Sequence, residues 1–352
     1  MDVRKIPRLL FIVLLSSLIV CCSGRKEPGL QKYELNGMTQ GTYYHIVYYH
    51  LSETDCEKRN IITPIQIAKA IDSIFTVVDN SLSLWNPNSL LNKLNHNMTN
   101  KVDKVFKDNY MQAKHISDMT GGMLDITIGA LVRAYGFAYE KRRELLDSEI
   151  DSMMMYVGYE KLKLKGDTLY KSYPQTQMDF NAVAQGYTTD QISDFLKRHN
   201  ISSHIVDVGG EVYASGLKPD GQNWRVAVEQ PSDSMSSERV FNTLIKLKNQ
   251  SIVTSGNYRK FYVEKGIKYS HTINPKTGRP SKNTLLSVSI VANTAVMADG
   301  LATACMVMGL DKTKEFLDEH PQYAAILIYS DETGDLKTYV SPTLEDKIEK
   351  VN

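Results

Sequence analysis

The chain has 352 residues, 42% of them hydrophobic and 23% charged, with a formal net charge of +1. That length supports one large core or two domains. The even charge balance, with scattered lysines and no basic run interleaved with aromatics, argues against nucleic acid as a partner.

Taken from the start, Arg4, Lys5 and Arg8 precede the apolar run Leu9 to Val20 and then Cys21-Cys22-Ser23-Gly24. A basic segment, a short apolar segment and small residues make an export signal rather than a membrane helix. The cysteine pair resembles a bacterial lipobox, with Cys22 favoured over Cys21 as the lipidated residue and a plain secretory signal as the alternative. Residues 1–21 are thus expected to be a signal peptide, 22–35 a polar tether and 36–345 the folded domain. The alternating stretch Leu35 to Leu51, rich in Tyr, Val and Ile, predicts strand. Ile65, Ala68, Ile71, Ile74, Phe75 and Val78 recur at helical spacing behind Thr63-Pro64, and Val105, Phe106, Ala113 and Ile116 do so before a stop at Thr120-Gly121-Gly122. Between them, Asn80 to Asn100 reads as a long surface connection.

Further on, the charged stretch Glu140 to Asp151 predicts an exposed helix. Short strands are expected at 161–164 and 168–172. A helix should run from DFNAVAQGYTTD to about His199, followed by the strand HIVDV ending at Gly209-Gly210. Strands are expected at 212–214, 224–228, 241–247, 258–263 and 287–292, helices at 295–309 and 313–317, and a hairpin across DETGD. Helices and strands without strict alternation indicate an α+β fold in one compact unit. Cys56 and Cys305 are too isolated to form a disulfide framework, although a bridge between them stays open.

Common nucleotide, zinc and hydrolase motifs are absent. Within Ala295 to Gly309, fourteen of fifteen residues are uncharged and Asp299 is the exception. A buried carboxylate needs a partner, either a structural one such as a helix cap or Arg, or a metal. Thr303 lies four residues on, on the same helical face, and an oxygen-only pair suits a hard cation such as Mg2+. Asp125 follows a glycine pair that lets a backbone approach a ligand. Asp179 opens DFNAVAQG either as an N-cap or as part of a phosphate or cation site. Arg259 offers a phosphate partner, and His271, in SHTINPKTG, a general base titrating near neutrality.

In order, MTQGT, TGGMLDITIG, DFNAVAQGY, DVGG, TSGNYR, SHTINPKTG and ADGLATACMVMG resemble the successive motifs of the ApbE family, the FAD:protein FMN transferases, over roughly Asn36 to Val340. The resemblance implies a single α+β domain with mixed or antiparallel sheet and packed helices, binding FAD as substrate with Mg2+ at its pyrophosphate. It implies transfer of FMN to a Thr or Ser hydroxyl of a target flavoprotein, releasing AMP. By position, Asp299, the Thr303 hydroxyl and the Ala182 carbonyl would hold the metal. Met38, Trp85, Met123, Leu124, Asp125, Asp179, Gln185 and Ile273 would contact FAD, and His271 would activate the acceptor hydroxyl. The chain departs from the family pattern at Gln185, commonly Lys or Glu, at Leu124, where an aromatic is usual, and in the extra residue of MTQGT. The expected acceptor is a flavoprotein subunit of a membrane redox complex, and the expected location is the periplasmic side, lipid-anchored to the membrane. An exported Mg2+-dependent FAD pyrophosphatase and a non-catalytic flavin-binding lipoprotein are the alternatives.

Overall fold

The alternation in Thr42–His50 decides which layers the fold has. Tyr44, Ile46 and Tyr48 point to one face and pack with Ile67, Ile71 and Phe75 of the helix Pro64–Leu82 and with Ile192 and Leu196 of the helix Ala184–Arg198. Val47 and Tyr49 point the other way, toward Trp224, Val228 and Ile245. In the computed structural model, which describes residues 29–137, 145–230, 240–256, 261–264, 267–270, 272–281 and 283–350, the strand belongs to an eight-stranded sheet. Its members are Gln31–Thr39, Thr42–His50, His204–Val208, Glu211–Ser215, Gln250–Gly256, Leu285–Ala292, Ala324–Ser330 and Leu336–Val340. They lie side by side in chain order, each antiparallel to the next.

Helices cover one face, and a small sheet of Trp224–Gln230, Val240–Leu247 and Ile348–Lys350 covers part of the other. With both faces covered, the middle strands need not alternate: Leu285–Ala292 is buried at every position but one. The helix Ala295–Met308 packs on Gln250–Gly256, Leu285–Ala292 and the helix Ala184–Arg198, which explains its nearly uniform apolar surface. Gly300 lets it come close, since a Cβ there would sit 2.5 Å from Ile116 Cδ1.

The α+β, single-unit expectation agrees with this architecture. Several boundaries differ. The stretch read as one strand at 35–51 is a hairpin turning at Gln40-Gly41, both with positive φ. Its first strand begins at Gln31, inside the segment read as a tether, and the last strand ends at Lys350. The 80–100 connection contains the helix Leu90–Asn95, because two asparagines are buried with partners that polarity alone does not reveal. Asn92 Nδ2 donates to the carbonyls of Ser83, Leu84 and Asn86, and Asn95 Nδ2 donates to Met178 O while its Oδ1 accepts from Met178 N. The helix placed at 313–317 runs Leu310–Glu319, and Asp147–Met154 is the described helix near the charged stretch. The C-terminal strand Ile348–Lys350 carries no sequence signal of its own; pairing with Val240–Leu247 forms it. Cys56 and Cys305 are both free and buried. The leader residues, including Cys21 and Cys22, lie outside the described residues, as do Arg259 and His271.

Candidate active site

The site is built where two helix N-termini meet. The helix Ala184–Arg198 starts after the irregular segment 179–183, and its N-cap, Val183, supplies no side-chain cap. Gly186 is the third residue of that helix, so its N–H is one of the donors that find no partner inside the helix. It donates to Asp299 Oδ2 at 3.1 Å, on a residue 113 positions away in Ala295–Met308. Among the described residues no hydrogen bond reaches the Ala182 carbonyl. Ala182 and Asp299 line one cavity. Glycine is required at position 186 for a steric reason, since a Cβ there would lie 2.5 Å from Ala295 O.

Asp299 is buried, and no cationic side chain among the described residues pairs with it. Burial pushes its carboxyl up to about 7, nearby Asp190 adds to the rise, and the Gly186 N–H opposes it. One helical turn on, Thr303 Oγ1 lies 3.4 Å from Ser255 Oγ at the end of Gln250–Gly256. No group of three or more His, Cys, Asp or Glu that could hold a metal ion is found among the described residues. A cation here would therefore rest on one carboxylate, a hydroxyl and a backbone carbonyl, a donor set that fits a hard divalent ion.

The two other acids predicted for the site shape its backbone. Asp179 does not cap the helix: its Oδ1 accepts from Asn181 N at 2.7 Å, closing a turn ahead of the helix, and burial pushes its carboxyl up to about 6. Asp125 Oδ1 accepts from Thr127 N and Oγ1 at 2.8 and 2.6 Å, and its Oδ2 from Tyr159 N at 2.9 Å. Burial raises its pKa as well.

A single cavity of about 1540 Å³ brings these groups together. Ala182, Asp299, Thr303, Met123, Leu124, Asp125, Asp179, Gln185, Ile273 and Trp85 all line it, the last from an exposed position in the loop after Pro64–Leu82. Met38 does not: it is exposed near the hairpin tip, whose Gln40 and Gly41 reach the wall instead. His271 lies outside the described residues, while Thr272 and Ile273 beside it line the cavity.

Three contributors escaped residue-level reading. Asp207, in DVGG, accepts from Tyr43 Oη at 3.2 Å and from Gly210 N at 2.9 Å, holding the turn at the cavity edge. Ser255 meets Thr303, and Gln40 Nε2 donates to Thr188 Oγ1 at 2.9 Å, tying the hairpin tip to the helix Ala184–Arg198. All three sit in motifs legible in the sequence, but their partners come from other elements.

Comparison with known proteins places this geometry in context. Residues 40–327 match the ApbE family. An FAD:protein FMN transferase of Vibrio cholerae serotype O1 is 31% identical over 345 residues, covering 97% of this chain and 99% of the relative. One from Haemophilus influenzae is 30% identical over 338 residues, covering 93% and 94%. The solved flavin transferase ApbE from Vibrio cholerae superposes with a TM-score of 0.78 at 30% identity, covering 90% of this chain and 99% of the other.

Proposed function

The chain belongs to the ApbE family, and from that premise we propose that it is an FAD:protein FMN transferase dependent on Mg2+. The observation that carries the metal assignment is the buried Asp299 carboxylate, which accepts from the Gly186 N–H, has no cationic partner among the described residues and lines the same cavity as Ala182 and Thr303. Bound there, Mg2+ would offset charge on the pyrophosphate oxygens and on departing AMP.

The chain's own groups carry the remaining chemistry. The cavity would take the flavin half of FAD against Met123, Leu124 and Ile273, which line it, with Trp85 offering an aromatic surface at the rim. The acceptor hydroxyl oxygen attacks the phosphorus on the FMN side, forming a phosphoester. The bond from that phosphorus to the bridging oxygen breaks, and the oxygen leaves with AMP. The hydroxyl proton goes to His271, a role supported by its position in the motif SHTINPKTG and by the chemistry of an imidazole as general base near neutral pH. Buried carboxyls at 125 and 179 hold the walls in shape rather than move protons, because their oxygens are engaged by backbone N–H groups.

The acceptor is a Thr or Ser on a flavoprotein subunit of a membrane redox complex. The basic–apolar leader and Cys21-Cys22 support export and lipid anchoring on the periplasmic side. Replacing both cysteines by Ser should move the protein from the membrane to the soluble fraction; continued membrane retention in salt washes would remove the lipid anchor.

Purified protein incubated with FAD, Mg2+ and a candidate acceptor should add one FMN mass to the acceptor, read by intact-mass spectrometry, with matching AMP. AMP and free FMN formed without an adduct would replace transfer by pyrophosphatase activity. Stoichiometric FAD left intact would leave only a binder.

A further inference from the structure

Two buried carboxylates cross between the same pair of helices. Asp299, on Ala295–Met308, accepts from Gly186 N at 3.1 Å at the start of Ala184–Arg198. In return Asp190, on Ala184–Arg198, accepts from Ala295 N at 2.7 Å and Val296 N at 2.9 Å, the first two donors of Ala295–Met308. Thr294, the residue in the N-cap position, makes no side-chain cap of its own. The orphan N–H groups at this helix start are thus satisfied by an acid from the neighbouring helix. A negative group at that end also matches the helix dipole.

A local Ser or Thr cap would stabilise the helix equally well. What it would not do is tie the helix origin to the element that carries Ala182. The contact leaves little slack, because Gly186 and Ala295 O are too close for any intervening side chain. With a rise of about 1.5 Å per residue, Asp299 and Thr303 lie roughly 6 and 12 Å beyond Ala295 on a stiff rod. Any shift in the helix origin is therefore carried to both.

We propose that Asp190 is a positioning residue of the reaction: by holding Ala295 and Val296 it sets the approach of the Asp299 carboxylate and Thr303 hydroxyl to the Ala182 carbonyl. The inference rests on the metal reading above and extends it to a residue outside the cavity wall. Asp190 touches neither substrate nor cation and acts only through the helix.

The test uses the full chain loaded with FAD and Mn2+ as the metal probe, with free Mn2+ counted by its EPR signal. Asp190→Ala should raise the half-saturating Mn2+ at least tenfold. Asp190→Asn, which keeps the volume and one acceptor oxygen, should give a smaller rise. In both, kcat for AMP release should fall with little change in KM for FAD. Folded variants with wild-type Mn2+ affinity and kcat, differing only in melting temperature, would reduce Asp190 to a helix cap and overturn the proposal. Should neither variant fold, amide exchange in the wild-type chain decides: protection at Ala295 and Val296 should rise when Mn2+ and FAD are added, and unchanged protection overturns the coupling. Wild-type protein that takes up no Mn2+ would fail the metal reading itself, a result distinct from an insensitive Asp190.

Discussion

At the scale of single residues, the burial of Asp299 sets stability against the metal role proposed for it. Burial raises its carboxyl to about 7, so the folded state disfavours the ionised form relative to the unfolded chain. Its contribution therefore becomes more destabilising as pH rises from the ordinary Asp range toward 7, and stays so above it. Asp299→Asn removes that titration while keeping an oxygen for the Gly186 N–H. Metal-free protein carrying it should melt higher than the wild type above pH 7. Transfer should fall about a hundredfold or more, the loss expected when electrostatic stabilisation of a transition state is removed. A lower melting temperature together with retained transfer would show that the acid is structural. His271→Ala should abolish transfer and leave FAD binding within about twofold by fluorescence titration, as a general base contributes to the chemical step rather than to binding. The pairing of Asp299 with Thr303 was legible in the sequence because four residues bring side chains to one helical face. The Gly186 partner was not, since nothing local links positions 186 and 299.

Among elements, the junction of Ala184–Arg198 and Ala295–Met308 governs the site. Gly186→Ala places a Cβ 2.5 Å from a backbone carbonyl that has no rotamer to escape through. One helix must move, with a stability loss of about 1–3 kcal/mol for overpacking. Because the moving parts carry Ala182 and Asp299, the variant should lose metal affinity as well, measured by titration alongside thermal unfolding. Normal affinity in a destabilised variant would separate the junction from the site. Apolar spacing foretold the helices Pro64–Leu82 and Lys104–Met119 well, since each presents one apolar stripe to a core. Leu90–Asn95 was missed because its inward-facing asparagines look like surface residues until Met178 and the 83–86 backbone are folded beside them.

For the molecule as a whole, acid sensitivity should follow a residue remote from the cavity. His204 is buried on the second pair of sheet strands, with Ile201 O 2.7 Å from Nδ1 and Ser193 Oγ 2.8 Å from Nε2. Burial lowers its pKa to about 4. The folded chain holds it neutral while the unfolded chain protonates it near 6.5, so its stabilising contribution is full above 6.5 and is lost as pH falls toward 4. The loss is on the order of 3 kcal/mol from the size of the shift. His204→Gln should flatten that part of the pH–stability profile in urea unfolding, and an unchanged slope between 6.5 and 4 would assign the acid sensitivity elsewhere. At this scale the sequence by itself determined the fold class, the chain order of most strands and the succession of polar islands, because periodicity and turn chemistry are local. Tertiary structure alone decided that the eight strands close ranks in chain order, that Asp179 closes a turn rather than capping a helix, and that Met38 stays off the cavity wall while Gln40 reaches it. It also decided that Asp190 and Asp299 exchange helix caps. Each of these depends on hydrogen bonds or contacts between residues far apart in the chain, formed only once burial has removed water as the competing partner.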